Sequence, residues 1–149
     1  MALIFSDPNS AGPFSTFQVK ETKVKVFKLL QTASVTPFTV TTATNTLLGR
    51  LPADASIVRF EYWNKTKLAG GSISAAALSL GSTSGGTEFV SAFDVFTTVG
   101  TQAILSPVTG ILQPYDVPLG GEIPIYAKGL ATTGTPTSGE IYIAVYYVR

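Results

Sequence analysis

The chain has 149 residues, 45% of them hydrophobic, only 13% charged, and a net charge of +1 with neither cysteine nor histidine. That charged fraction is about half the ~25% usual for soluble domains. The missing Cys and His exclude disulfide frameworks, zinc fingers, haem attachment and any Ser–His–Asp or Cys–His catalytic arrangement, and a near-neutral balance argues against general nucleic-acid binding. Thr (20) and Ser (13) stand where charged helix formers would normally be, and β-branched Thr suits the half-exposed surface of a sheet. An exterior this poor in charge is expected to be partly hidden in an assembly.

Residues 1 to 16 combine Leu3, Ile4, Phe5 and Phe14 with the turn signals Asp7-Pro8-Asn9 and Gly12-Pro13. Two breakers so close together rule out a helix and give an extended arm, whose aromatics mark a docking surface, the alternative being an arm folded back onto its own domain. No basic n-region or sustained apolar run opens the chain, so no secretion signal is expected. Residues 17 to 31, FQVKETKVKVFKLLQ, alternate Val24 and Val26 with Lys23, Lys25 and Lys28. This reads as a strand with one charged face, a short helix being the alternative although a clean 3.6 period is lacking, and a Lys row of this kind protects a sheet edge from wrong pairing or meets an acidic partner. Four lysines against Asp7 and Glu21 give the first 30 residues a local charge of +2. Residues 68 to 149 hold Lys128 and Arg149 against five acids, a local −3.

Residues 35 to 48 form a Thr-rich strand after Pro37. The stretch from Leu51 to Gly81 contains two strand-like runs around Gly70-Gly71, and period-two alternation bounded by Pro, Asp and Gly is the signal for a pair of strands. Within the first run, Ile57, Arg59, Glu61 and Trp63 are expected on one face, with Val58, Phe60 and Tyr62 on the other. Asn64-Lys65-Thr66 matches a glycosylation sequon only by pattern. The loop STSGGT, residues 82 to 87, has neither the lysine nor the helix start that a phosphate-cradling loop needs.

Residues 88 to 99 place Phe89, Phe93 and Phe96 at helical spacing, but Val, Phe and Thr favour strands. A short strand or irregular core plug is expected there, a one- or two-turn helix being the alternative, with the three Phe in the core. Residues 102 to 113 give a strand broken at Pro107 and Gly110. Pro124 makes residues 123 to 128 an edge strand or a strand start. In the closing run EIYIAVYYVR both faces are apolar, so this strand is central, or one of its faces packs on another subunit. The expected fold class is all-β: a β-sandwich of seven or eight strands, jelly-roll or similar Greek-key, with an extended N-terminal arm. Residues 1–34 would form the arm and a linking strand, and residues 35–149 the sandwich.

No reaction chemistry emerges. The nine acids are scattered, no D-x-D-x-D run offers calcium ligands, and nothing implies a cofactor or a membrane span. Arg59, Tyr62, Trp63, Lys65 and Lys67 partly match a single-strand nucleic-acid platform, but Tyr62 and Trp63 point to opposite faces of one strand. The chain therefore reads as a non-enzyme.

The run Leu51-Pro52-Ala53-Asp54-Ala55, the small-residue strand ending Leu78-Ser79-Leu80-Gly81, the Gly/Ser loop and the closing Tyr146-Tyr147-Val148-Arg149 resemble small virion proteins of tailed bacteriophages, in particular head decoration (cement) proteins. The resemblance spans about residues 35 to 149. It implies a jelly-roll-like domain, often trimeric, on the outer surface of the icosahedral head, where it bridges major capsid subunits. On that basis Phe5, Phe14, Phe17, Lys20, Lys23 and Lys25 are the candidate contacts to the capsid or to a neighbouring subunit. Two other stations are compatible: a neck, tail or fibre-base protein, and a carbohydrate-binding module exposing Trp63, Tyr62 or Tyr126 in a groove.

Overall fold

The apolar alternation at the C-terminus becomes the spine of a sheet. The computed structural model describes residues 21–97, 102–105 and 121–149. In it β8 (Ser138–Val148) turns Ile141, Ile143 and Val145 inward with no exposed surface, and it is hydrogen-bonded on both edges. β1 (Thr22–Gln31) pairs antiparallel along one edge over ten residues, from Thr22↔Val148 to Gln31↔Gly139. β3 (Ser56–Ala69) pairs along the other edge, and β6 (Gln102–Leu105) pairs with β3. The second sheet holds β2 (Thr44–Leu51), β7 (Ile123–Thr132), β4 (Ala75–Gly81) and β5 (Val90–Asp94), in that order.

The orders β1-β8-β3-β6 and β2-β7-β4-β5 have one origin. The pairs 1·8, 2·7, 3·6 and 4·5 are the rungs of a single long antiparallel ribbon folded at its middle. Winding that ribbon brings β8 against β3 and β7 against β4, which closes two four-stranded sheets over one core. This is the jelly roll that the sequence leads one to expect. Pro124 is the second residue of β7, a strand start in the middle of a sheet.

The core is built from inward rows of both sheets: Ile57, Phe60, Ile141, Ile143 and Val145 from the first, Leu78, Leu80, Ile123 and Ile125 from the second. Aromatic pairs join the layers. Phe60 stacks on Phe89 with centroids 5.5 Å apart, and Tyr62 meets Phe93 at 5.0 Å. Phe89 is buried and Phe93 and Phe96 pack against the core, so the Phe-rich stretch is a short strand rather than a helix. Its helical spacing had no helix-forming composition behind it.

Two expectations about Leu51 to Gly81 are overturned. The runs β3 and β4 do not pair: β3 joins the first sheet and β4 the second. Gly70, Gly71 and Ser72 all have positive φ (87°, 59° and 57°), and this tight left-handed corner carries the chain across from one sheet to the other. Alternation marks strands but cannot say which strand lies alongside. The face assignment also changes, because the register slips by one between Ile57 and Arg59. Val58 is the extra residue of a β-bulge, which flips the alternation. Ile57 therefore lies in the core with Phe60 and Tyr62, while Arg59, Glu61 and Trp63 face outward. Asn64 is wholly buried, its Nδ2 donating to Val95 O at 2.6 Å, so its sequon offers no accessible acceptor.

The connection from β1 to β2, residues 32 to 43, crosses one end of the sandwich with Phe38 buried beneath it. Gln31 locks this end. Its Nε2 donates to Pro136 O at 2.6 Å and its Oε1 accepts from the Phe38 amide at 3.0 Å. The same end brings the Gly70-Gly71 corner against the β7–β8 turn, with Ser74 Oγ 2.6 Å from Thr133 Oγ1. A Cβ on Gly134 would fall on the carbonyl of Gly71.

Candidate functional site

Cross-strand register decides what the outer face of the first sheet looks like. On β1 one row carries Lys23, Lys25, Phe27, Leu29 and Gln31, and the opposite row carries Val24, Val26, Lys28 and Leu30. The single Lys face expected from the sequence is thus divided. Lys28 stands among the outward valines, while Lys25 leans over the sandwich mouth, donating to Arg50 O at 2.7 Å with its Nζ 5.7 Å from the Phe27 ring centroid. β1 is an edge strand among the described residues, the setting in which exposed lysines keep an edge from pairing wrongly.

Three rows then run across the outer face. They are Val24, Tyr146 and Arg59; Val26, Ala144 and Glu61; and Lys28, Tyr142 and Trp63. Ala144 is the smallest of the nine and lies in the middle. The volume it leaves is an open groove of about 530 Å³, walled by Tyr142 and Tyr146 along β8, by Val24 and Val26 on one side, and by Trp63 and Glu61 on the other. Val26 is 57% exposed and Trp63, the only tryptophan, 42%. Exposed apolar side chains contiguous with aromatics are the usual mark of an interaction surface.

The charges around the groove are paired among themselves. Arg59 Nε lies 2.9 Å from Glu61 Oε1, its guanidinium sits 3.9 Å from the centroid of the Tyr146 ring, and the Tyr146 hydroxyl donates to Glu61 Oε2 at 3.0 Å. Glu61 is only 8% exposed, so this closed triangle is what allows a carboxylate there. At the other end Tyr142 donates to Glu140 Oε1 at 2.5 Å, with Lys28 at 3.0 Å and Lys65 at 3.5 Å from the same carboxylate. The Tyr142 hydroxyl first, then Lys28, hold Glu140 down to about 2, with the Lys65 charge assisting against partial burial. The hydrogen bond to Glu140 raises Lys28 in turn. Trp63 stacks on Tyr142 with centroids 5.6 Å apart and planes 25° from parallel. The result is an aromatic frame around an apolar depression, its charges engaged with one another and one positive charge in excess. Such a frame suits docking rather than proton or group transfer.

Of the residues singled out from the sequence, Phe5, Phe14, Phe17 and Lys20 lie outside the described residues. Lys23 and Lys25 are exposed but belong to the row facing away from the groove. The aromatics of the carbohydrate reading are dispersed: Trp63 lines the groove, Tyr62 is buried against Phe93, and Tyr126 lies on β7 in the other sheet. The Gly/Ser loop carries its own anion, since Glu88 accepts from the Ser82 amide at 3.1 Å and from Thr83 Oγ1 at 2.9 Å. Its own backbone amide, ahead of these two, depresses its pKa against opposing desolvation. Among the described residues no cluster of three or more Asp or Glu is placed to hold a metal ion. The groove itself escaped the sequence reading, although Tyr142-x-Ala144-x-Tyr146 spells a small residue between two large ones on one face.

Among the described residues the chain forms an eight-stranded jelly-roll sandwich with an aromatic groove on the outer face of its first sheet. Two solved structures share that fold almost end to end. A chain of the cyanophage Pam1 capsid asymmetric unit aligns with a TM-score of 0.63, covering 95% of this chain and 98% of that one at 18% identity. A chain of the capsid of Ralstonia phage GP4 aligns with a TM-score of 0.57, covering 87% and 84% at 15% identity. No protein-family model matches the chain, and no curated protein does.

Proposed function

We propose that this protein is a structural component of a phage virion that decorates and stabilises the icosahedral head, bridging major capsid subunits from the outer surface as a homotrimer. The observation that carries the reading is the near-complete mutual coverage with a chain of the Pam1 capsid, which makes that chain similar in length to this one. In this reading the jelly roll is an accessory to the shell rather than the shell itself. The sparse charge and the exposed groove on the first sheet support burial of outer surface in an assembly. In this reading Phe5, Phe14, Phe17 and Lys20 on the arm, with Lys23 and Lys25 at its root, meet the capsid or a neighbouring subunit. No catalytic step belongs to the proposal. The head is preferred to a neck, tail or fibre-base station because both fold neighbours are capsid chains.

The test is co-sedimentation of the purified protein with empty heads lacking it, together with imaging of virions. Saturable binding and density on the outer shell are expected. No binding to heads, or density confined to neck or tail, would refute the reading.

A further inference from the structure

We propose that the groove over Ala144 receives the N-terminal segment of a second copy of this chain, so that neighbouring copies exchange their first 20 residues. The inference concerns the isolated protein and stands apart from whether a capsid is the final partner.

The groove selects for an apolar polypeptide. Its walls are Val24, Val26, Tyr142, Tyr146 and Trp63, with Glu61 and Tyr62 between them, and its charges already engage one another in the Arg59–Glu61 and Lys28–Glu140–Lys65 groups. Aromatic walls around an apolar centre are the composition of protein interface cores. A sugar ring finds less here. One face of Tyr146 is covered by Arg59, and Tyr142 is engaged by Trp63 and Lys65.

The segment of residues 1–20 matches that selection. It carries Leu3, Ile4, Phe5, Phe14 and Phe17, and its charges are one Asp and one Lys. It enters β1 at the groove's margin, since the strand starts at Thr22 and Val24 lines the wall. Chain length favours exchange over folding back for two of these rings. Gln18-Val19-Lys20-Glu21 contains no Gly, Pro, Asn, Asp or Ser to reverse the chain. Were the chain to turn at Ser15-Thr16 or at Gly12-Pro13, Phe17 and Phe14 would each stay roughly 17 Å or more short of Thr22 if that chain is extended. In this proposal these two rings therefore occupy the groove of a neighbour. Reciprocal exchange of one segment per copy closes a symmetric ring, and each arm then holds at high effective concentration.

The experiment uses the full chain. It holds no cysteine, so engineered pairs are unambiguous. Phe14→Cys with Val26→Cys, and Phe17→Cys with Val26→Cys, are oxidised and run without reductant. Covalent dimers or higher ladders from either pair that the corresponding single-cysteine chains do not form alone support exchange. Cross-links confined to single chains, or none from either pair in protein shown folded by circular dichroism, overturn it. The unmutated chain gives a second readout through Trp63. Its emission should move to longer wavelength on dilution as arms leave the groove. Phe14→Ala and Phe17→Ala should each shift the midpoint to roughly ten- to a hundred-fold higher concentration. Emission that does not change with concentration, or midpoints unmoved by both variants, would overturn the proposal.

Discussion

Gln31 offers the sharpest test of how this sandwich is closed. Its side chain is 1% exposed, and its amide bonds Pro136 O and the Phe38 amide, both from buried residues. Gln31→Leu keeps the volume and removes both partners at once. Each orphaned backbone group costs about 1–3 kcal/mol. Leucine recovers part of this through apolar burial, so the net loss should be about 2–4 kcal/mol against a total stability of about 5–15 kcal/mol. For a domain of this size that is a fall in Tm of roughly 5–15 °C. Urea unfolding should show a lower midpoint with an unchanged m-value. Gln31→Glu adds a signed check. The carboxylate would face the Pro136 carbonyl in a dry site, so its folded pKa is raised above the unfolded ~4.3. Its stability relative to the parent is then greatest below that value and falls as pH rises. A loss under about 1 kcal/mol for the Leu variant, or a Glu variant indifferent to pH, would show that Gln31 is not the lock described here.

Three further outcomes follow from the same structure. Phe60→Ala removes a ring with no exposed surface, stacked on Phe89, and should cost about 3–5 kcal/mol by thermal or chemical unfolding. Gly134→Ala sets a methyl on the Gly71 carbonyl where two turns cross; soluble yield and Tm should both drop, whereas Gly121→Ala, with open space around it, should leave them unchanged. Glu140 ionises at about 2 when folded and at 4.5 ordinarily, so the folded state binds fewer protons between those values. Its stabilisation is complete above about 4.5 and drains away as pH falls towards about 2; a Glu140→Gln chain should lose less stability over that window than the parent.

The strands were legible because period-two alternation reports one thing well, namely that two faces have different environments. Ile141, Ile143 and Val145 announced their burial, and a closing run apolar on both faces announced a central strand. The β3–β4 pairing was not legible, since a five-residue Gly-containing corner serves a hairpin or a crossing between sheets equally well. Competition among all eight strands for partners settles it. The bulge at Val58 was equally hidden: one extra residue exchanges inside for outside, yet Val58 has nothing unusual about it. That exchange put Arg59, Glu61 and Trp63 on the outer face and so created one wall of the groove.

The bulge also explains why so aromatic a surface stays ordered. Were β3 in unbroken register with Ile57, Arg59 and Glu61 would turn inward and two charges would need partners in a core that supplies none, a cost of several kcal/mol per ion. With the slip, the same residues meet Tyr146 across the strand boundary, where a guanidinium, a hydroxyl and a carboxylate satisfy one another within 3.0 Å. The Arg59 guanidinium already lies over that ring, so an interface built on it needs little further side-chain ordering on docking. Ala144 then matters by what it lacks. Filling the depression from within, as Ala144→Leu would, should leave the fold intact, since the outer face has open space above it. It should nonetheless weaken self-association measured by sedimentation. Undiminished association in a folded Leu variant would move the docking surface off this sheet.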